Sequence, residues 1–230
     1  MARPVRTLFG ELEVTDDVPA AFARHVRDAF AGRRGERFAL VLSGGPTARR
    51  CYERLAAEPG AIAWDQVDVL MGDERCVAPD DDDANQKLVR QALLERVGPV
   101  GSFHPMSCDE GPQSYERLLE RFPPPDVIHL GLGPDGHTAS LFPGSEALGA
   151  PAGTLVVSST DPHERNPHDR MTLTLAGIAR ARLVLFTVAG EEKRAAFAQV
   201  RDGADIPANQ VRAERVVWLV DRAAAGPAAG

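Results

Sequence analysis

The sequence predicts an α/β protein: a doubly wound, mostly parallel sheet with helices on both faces. Short apolar runs rich in branched residues recur along the chain, bounded by Gly, Asp or Ser, as strands buried on both faces require. Segments with apolar residues at helical spacing lie between those runs. That alternation is the pattern of βαβ units.

Taken in order, Val18, Phe22, Val26 and Phe30 share one helical face, and Phe38 to Leu42 reads as the first buried strand. Ser43-Gly44-Gly45-Pro46-Thr47-Ala48-Arg49-Arg50 turns that strand into a helix running through Leu55. Val67 to Met71 is the next strand and exits into Gly72-Asp73-Glu74-Arg75-Cys76-Val77. Two helical patterns follow, Val89, Leu93 and Val97, then Tyr115, Leu118, Leu119 and Phe122. Pro123-Pro124-Pro125 is a stiff break before the strand Val127 to Leu130, and Thr160 to Asp169 is a polar loop of about ten residues, longer than most connections. Leu183 to Val188 and Val216 to Val220 complete the strands. Neither break leaves fragments large enough to fold alone, so a single domain is expected over 1–230, with the Ala/Gly/Pro-rich stretch 223–230 fraying.

Composition narrows the function. The chain of 230 residues is 43% hydrophobic and carries a net charge of −7, with its Lys and Arg scattered, which argues against a nucleic-acid partner. An anionic substrate is repelled at long range, so an anion site has to be built from local cations and backbone amides. Cys51, Cys76 and Cys108 form no C-x-x-C pair and leave an odd thiol, which fits a reducing cytoplasm; Cys76 reads as a small apolar filler. No secretory h-region and no run of 18 apolar residues is present, so neither secretion nor a membrane partner is expected.

The chemistry concentrates in the turns after strands, where open α/β sheets bind ligands. Gly131-Leu132-Gly133-Pro134-Asp135-Gly136-His137 places an imidazole beside a carboxylate in a glycine-rich turn, the position of a general base. The plain alternative is an exposed turn histidine with Asp135 as a helix cap. Gly44 and Gly45 let backbone amides of a helix N-terminus approach an anion, although Ser43 as a cap and Pro46 at the first helical position suit an ordinary turn equally. Arg75 offers a planar fork for phosphate, Asp73 an acceptor for hydroxyls, and Glu74 is expected to pair internally. Lys193, in Gly190-Glu191-Glu192-Lys193, is a cation set against the helix dipole. Asp80 to Asp83 lacks the glycine and glutamate of a calcium loop and reads as a solvated acidic loop. His25, His104, His129, His163 and His168 show no ligand spacing, so no metal is expected.

The stretch Gly131 to Gly144, Gly-Leu-Gly-Pro-Asp-Gly-His-Thr-Ala-Ser-Leu-Phe-Pro-Gly, resembles the G-x-G-x-D-G-H-T-A-S-L-F-P signature of the 6-phosphogluconolactonase family, whose superfamily also holds glucosamine-6-phosphate deaminases. Gly72 to Arg75 is similar to its G-D-E-R motif, Arg170 to Thr174 to R-x-T-L-T, and Gly190 to Lys193 to G-x-x-K. Against S-G-G-S-T-P, Gly44, Gly45 and Thr47 match while Pro46 and Ala48 depart, which throws the phosphate grip onto Thr47 and side-chain cations. The resemblance implies hydrolysis of 6-phospho-D-glucono-1,5-lactone to 6-phosphogluconate in the oxidative pentose phosphate route, without metal or cofactor. His137 is then the base, with Asp135 or Asp73 holding the imidazole or the sugar. Arg75, Lys193, Gly44, Gly45 and Thr47 hold the phosphate, and Arg170 is either substrate-binding or structural. The only partner implied is a phosphorylated sugar lactone, and a monomer or weak homodimer is expected. Two alternatives stand beside this one. A deaminase needs a proton-transferring glutamate where Phe142 aligns, and a non-catalytic sugar-phosphate sensor keeps the pocket without using His137.

Overall fold

The computed structural model describes residues 10–226. Seven strands form one sheet: β1 (Glu11–Thr15), β2 (Phe38–Leu42), β3 (Val67–Met71), β5 (Ser102–His104), β6 (Val127–Gly131), β9 (Leu183–Val188) and β10 (Arg215–Asp221). A small second sheet holds β4 (Asp73–Arg75), β7 (Val156–Ser159) and β8 (Arg170–Leu173). All neighbours in the large sheet run parallel, in the order β1-β10-β9-β6-β2-β3-β5. The expected α/β doubly wound fold is therefore present. From β2 the chain winds outward through β3 to β5, then returns to the other side of β2 with β6 and winds out through β9 and β10. The carboxyl ends of β2 and β6, where this direction reverses, are the place such a sheet leaves a crevice.

Burial explains why these residues form strands. Every residue of β2, β3 and β9 is buried, as parallel strands covered on both faces must be, and all three are built from branched or bulky apolar residues with few polar interruptions. Phe186 of β9 and Trp218 of β10 stack 3.8 Å apart and nearly parallel. The helix Val18–Ala31 starts where the Asp17 side chain accepts from the Ala20 amide at 2.9 Å, and it buries Val18, Phe22, Val26 and Phe30, the face anticipated from spacing. The helical pattern of Val89, Leu93 and Val97 corresponds to Asn85–Val89, a π-helical stretch Arg90–Leu94 and Glu95–Val97, with Val89 and Leu93 buried. The edge strands β1 and β5 and the small sheet were not anticipated, being three to five residues long and in part exposed.

Two expectations are corrected. The first is that of free thiols: Cys76 and Cys108 are joined by a disulfide spanning 32 residues, so Cys76 is no apolar filler and only Cys51 is free. The pairing of β3 with β5 accounts for the closeness, because Cys76 lies just past β4 at the end of β3, and Cys108 lies just past β5. The second is the fraying tail. Arg222–Ala225 is a helical turn capped by Asp221, which accepts from the Ala224 amide at 2.7 Å, and Ala224 is buried. The remainder of that stretch, 227–230, lies outside the described residues.

A bridge closing a loop of this length is worth about 2–4 kcal/mol through restriction of the unfolded chain. Melting of the wild-type protein should therefore drop by several degrees in the presence of reductant, and Cys108→Ser should melt at the reduced temperature with no further response to reductant. An identical melting point with and without reductant would show that the bridge does not contribute.

Candidate active site

A cleft of about 350 Å³ opens at the reversal point. Its walls include Gly44, Gly45 and Thr47 after β2, Asp73 and Arg75 on β4, His137 after β6, Arg170 on β8 and Lys193 after β9. Five separate stretches of sequence thus converge, and among the expected site residues only Asp135 is set back from the wall, behind His137.

His137 and Asp135 meet as a pair. Nδ1 of the imidazole lies 2.6 Å from Asp135 Oδ1, and the His137 amide donates to the same oxygen at 3.2 Å. Burial works to raise the Asp135 carboxyl, but the hydrogen bond and charge of His137 outweigh it and bring it down to about 2. An ionised carboxylate only accepts, so Nδ1 carries the proton and Nε2 presents its lone pair. The ring packs against Phe142, with centroids 4.9 Å apart, and against the backbone of Gly133, where a Cβ would stand 2.1 Å from Nδ1. Asp135 is therefore no helix cap. The long polar connection Thr160 to Asp169 adds Arg165, whose guanidinium stands 2.9 Å from the second Asp135 oxygen.

The turn after β2 is held from below. Ser43 does not cap the helix; Gly45 does, at φ +106°, a conformation suited to glycine. The Ser43 hydroxyl donates to the His129 carbonyl at 3.0 Å, and the Ser43 amide donates to the Tyr52 hydroxyl at the same distance. That hydroxyl lies 2.8 Å from His129 Nδ1, and His129 Nε2 lies 2.8 Å from the Thr187 hydroxyl. Burial drives His129 down to about 3, so it is a neutral structural imidazole. The loss of an amide at Pro46 is limited in effect, because no side chain caps the helix Pro46–Ala56 and the next amides stay uncommitted. Tyr52 and Thr187 were invisible as site residues in the sequence, since each acts through a partner remote along the chain.

The small sheet supplies charge. Arg75 and Arg170 are directly opposed across the β4/β8 ladder. Like charges so placed are destabilising unless an anion or carboxylate lies between them. Burial, and next the Arg75 charge, lower the Arg170 guanidinium. Neither Nε has a partner within the protein, and neither do Asp73 Oδ1 and Asn85 Oδ1, all four being buried atoms of side chains that line the cleft. Arg170 also donates to the Pro167 carbonyl at 3.1 Å, and its guanidinium lies 5.7 Å from the centre of the Phe142 ring. Lys193, which sits in a short 3-10 turn just ahead of its helix, has no ion-pair partner among the described residues. Glu74 turns inward as anticipated. It receives the amides of Arg75, Asn85 and Gln86 at 2.7–2.8 Å, and burial pushes it up to about 6 against those bonds. Asp82 pairs with Lys87 and Asp83 with His168, and no metal-binding cluster occurs among the described residues.

Chemically, the cleft combines an imidazole of fixed tautomer with two guanidiniums, a carboxylate and an amide that each keep one unpaired atom. The family model of glucosamine-6-phosphate isomerases and 6-phosphogluconolactonase matches residues 11–218. A 6-phosphogluconolactonase of Nostoc sp. is 37% identical over 93% of this chain and 96% of its own, and one of Mycobacterium leprae is 35% identical over 90% and 91%. The crystal structure of 6-phosphogluconolactonase from Thermotoga maritima superposes with a TM-score of 0.80 at 28% identity, covering 92% of this chain and 99% of that one. A monomeric glucosamine-6-phosphate deaminase shares the fold at 18% identity, with a TM-score of 0.78.

Two outcomes follow from the His137 environment. Gly133→Ala should displace the ring and lower any turnover that depends on it by tenfold or more, about 1.4 kcal/mol or above, while melting changes little; steady-state kinetics beside a melting curve checks this. The Asp135 carboxyl lies below its ordinary 3.8 in the folded state, so its stabilisation is complete above about pH 4 and is lost as pH falls toward 2. The difference in melting temperature between wild type and Asp135→Asn should accordingly shrink across that interval.

Proposed function

Because this chain belongs to the family of glucosamine-6-phosphate isomerases and 6-phosphogluconolactonases, we propose that it hydrolyses 6-phospho-D-glucono-1,5-lactone to 6-phosphogluconate in the oxidative pentose phosphate route. The observation that carries the reading at this site is the opposed pair Arg75 and Arg170 with unpaired Nε atoms, in the same cleft as a base whose lone pair is at Nε2. A phosphorylated sugar ring supplies what these groups lack: an anion for the guanidiniums and hydroxyls for the Asp73 carboxylate.

The reaction then runs as follows. A water attacks the lactone carbonyl as His137 Nε2 takes its proton, and Asp135 stabilises the imidazolium through Nδ1–H. Backbone amides of the glycine turns stabilise the tetrahedral oxyanion. Collapse breaks the bond from the carbonyl carbon to the ring oxygen, which receives the proton back from His137, and the new carboxylic acid ionises in water. Gly44, Gly45, Thr47, Arg75 and Lys193 hold the phosphate, and Arg170 joins Arg75 as a substrate-binding cation. The deaminase alternative loses support at Phe142, which is fully buried against His137 and Arg170 as a packing residue with no proton to transfer.

We place the enzyme in the cytoplasm, where a phosphorylated substrate is retained; no described helix is long and apolar enough to cross a membrane. A disulfide is unusual in that compartment, which makes Cys76–Cys108 the feature least expected of it. A monomer or weak homodimer fits a described surface whose large exposed apolar side chains are Leu12 and Val14, too few for a stable interface.

Acid release from freshly generated 6-phosphogluconolactone should exceed spontaneous hydrolysis by a wide margin. His137→Ala should lower kcat by roughly a hundred- to ten-thousand-fold while 6-phosphogluconate still binds. Wild-type protein that shows no excess over the spontaneous rate would refute the assignment.

A further inference from the structure

We propose that Arg165, on the connection between β7 and β8, is a positioning residue for the His137–Asp135 pair: it engages the far oxygen of Asp135 and so sets both the direction and the basicity of the imidazole. Its consequence for turnover rests on the lactonase reading; its electrostatic content does not.

The connection is built to bring this side chain to that place. Asp161, itself 2% exposed, accepts from the amides of His163, Arg165 and Asn166 and from the Asn166 side chain, folding residues 161–166 around one carboxylate. Glu164 and His168 take φ values of +54° and +72°, uncommon for residues other than glycine, and such conformations persist only where the surroundings impose them. His168 reaches Asp83 at 3.0 Å, and Asp169 accepts from the Cys76 amide at 2.9 Å, which ties the far end of the connection to the cleft's opposite rim. Arg165 emerges between two carboxylates, 2.9 Å from Asp135 Oδ2 and 3.8 Å from Asp161 Oδ2. Asn166, beside it, lines the cleft.

A carboxylate with one oxygen on an imidazole and the other at ion-pair distance from a guanidinium is attracted from both sides, the second contact being one of charge and not a hydrogen bond. It also divides its field. The cation offsets part of the negative charge that the carboxylate sets beside the ring. Other charged groups face His137 from farther off: Asp73, Arg75 and Arg170 on the small sheet, and Glu192 and Lys193 after β9. Among the described residues Asp135 alone comes within ion-pair distance of the ring.

The test is the titration of His137 followed by NMR, its ring resonance assigned by loss in His137→Gln, in wild type, Arg165→Met and Arg165→Lys. We expect Arg165→Met to raise the midpoint by on the order of half a unit to one unit, and the acidic limb of kcat/KM to move up with it. Arg165→Lys should return most of the shift, because it keeps the charge. A midpoint that stays put or falls in Arg165→Met overturns the proposal. So does a rise in KM with the pH profile unmoved, which would make Arg165 a substrate anchor. If wild-type protein lacks lactonase activity, the NMR shift still decides the coupling, so the two readings fail separately.

Discussion

The reversal of winding between β2 and β6 is the constraint on which the rest depends. In a parallel sheet every strand's carboxyl end passes into a crossover, and where two neighbouring crossovers diverge, the ends beneath them stay uncovered. Here that opening receives the Ser43–Thr47 turn from one side and the Leu132–His137 turn from the other. Each arrives rigid, because the strand behind it is buried and the backbone beneath it is pinned by hydrogen bonds: Tyr52 and His129 under the first, and the Thr138 hydroxyl on the Gly131 carbonyl, at 2.9 Å, under the second. The position of His137 is set by sheet topology before any side chain chooses a rotamer.

The small antiparallel sheet solves a different problem. A chain with a net charge of −7 repels an anion at long range, and the helix after β2 begins with a proline, which offers no amide. Backbone pairing of β4 with β8 sets Arg75 directly opposite Arg170, an opposition of like charges that an anion relieves. Any attraction of this pair for an anion is therefore local and short-ranged. The buried Glu74 steadies the arrangement from behind by collecting the amides that start the Asn85 helix, which in turn brings Asn85 onto the Asp73 carbonyl at 3.0 Å.

Much of this was legible in the sequence, and the remainder was not for identifiable reasons. Buried parallel strands announce themselves as continuous branched runs, so β2, β3, β6, β9 and β10 could be read directly. The edge strands β1 and β5 and the short ladder of β4, β7 and β8 carry no such pattern, because their pairing is decided by tertiary context. Residues that line the cleft, such as Asp73, Arg75, His137 and Lys193, stand in motifs just past strand ends, where the sequence displays them. Arg165, Tyr52 and Thr187 work through partners 30, 77 and 58 residues away, and nothing local marks them. The Cys76–Cys108 bridge escaped for the same reason, since the spacing of its cysteines matches no motif and only the adjacency of β3 and β5 brings them together.

That bridge also alters how the molecule carries load. The cross-link encloses the acidic loop, the Asn85 helix and the edge strand β5, and a chain stretched from its two ends transmits force through the sulfurs instead of through those 32 residues. Roughly 110 Å of contour length, at about 3.4 Å per residue, is thereby withheld from extension. Under tension on the two chain ends, β5 lies off the loaded path, and rupture has to begin elsewhere in the sheet.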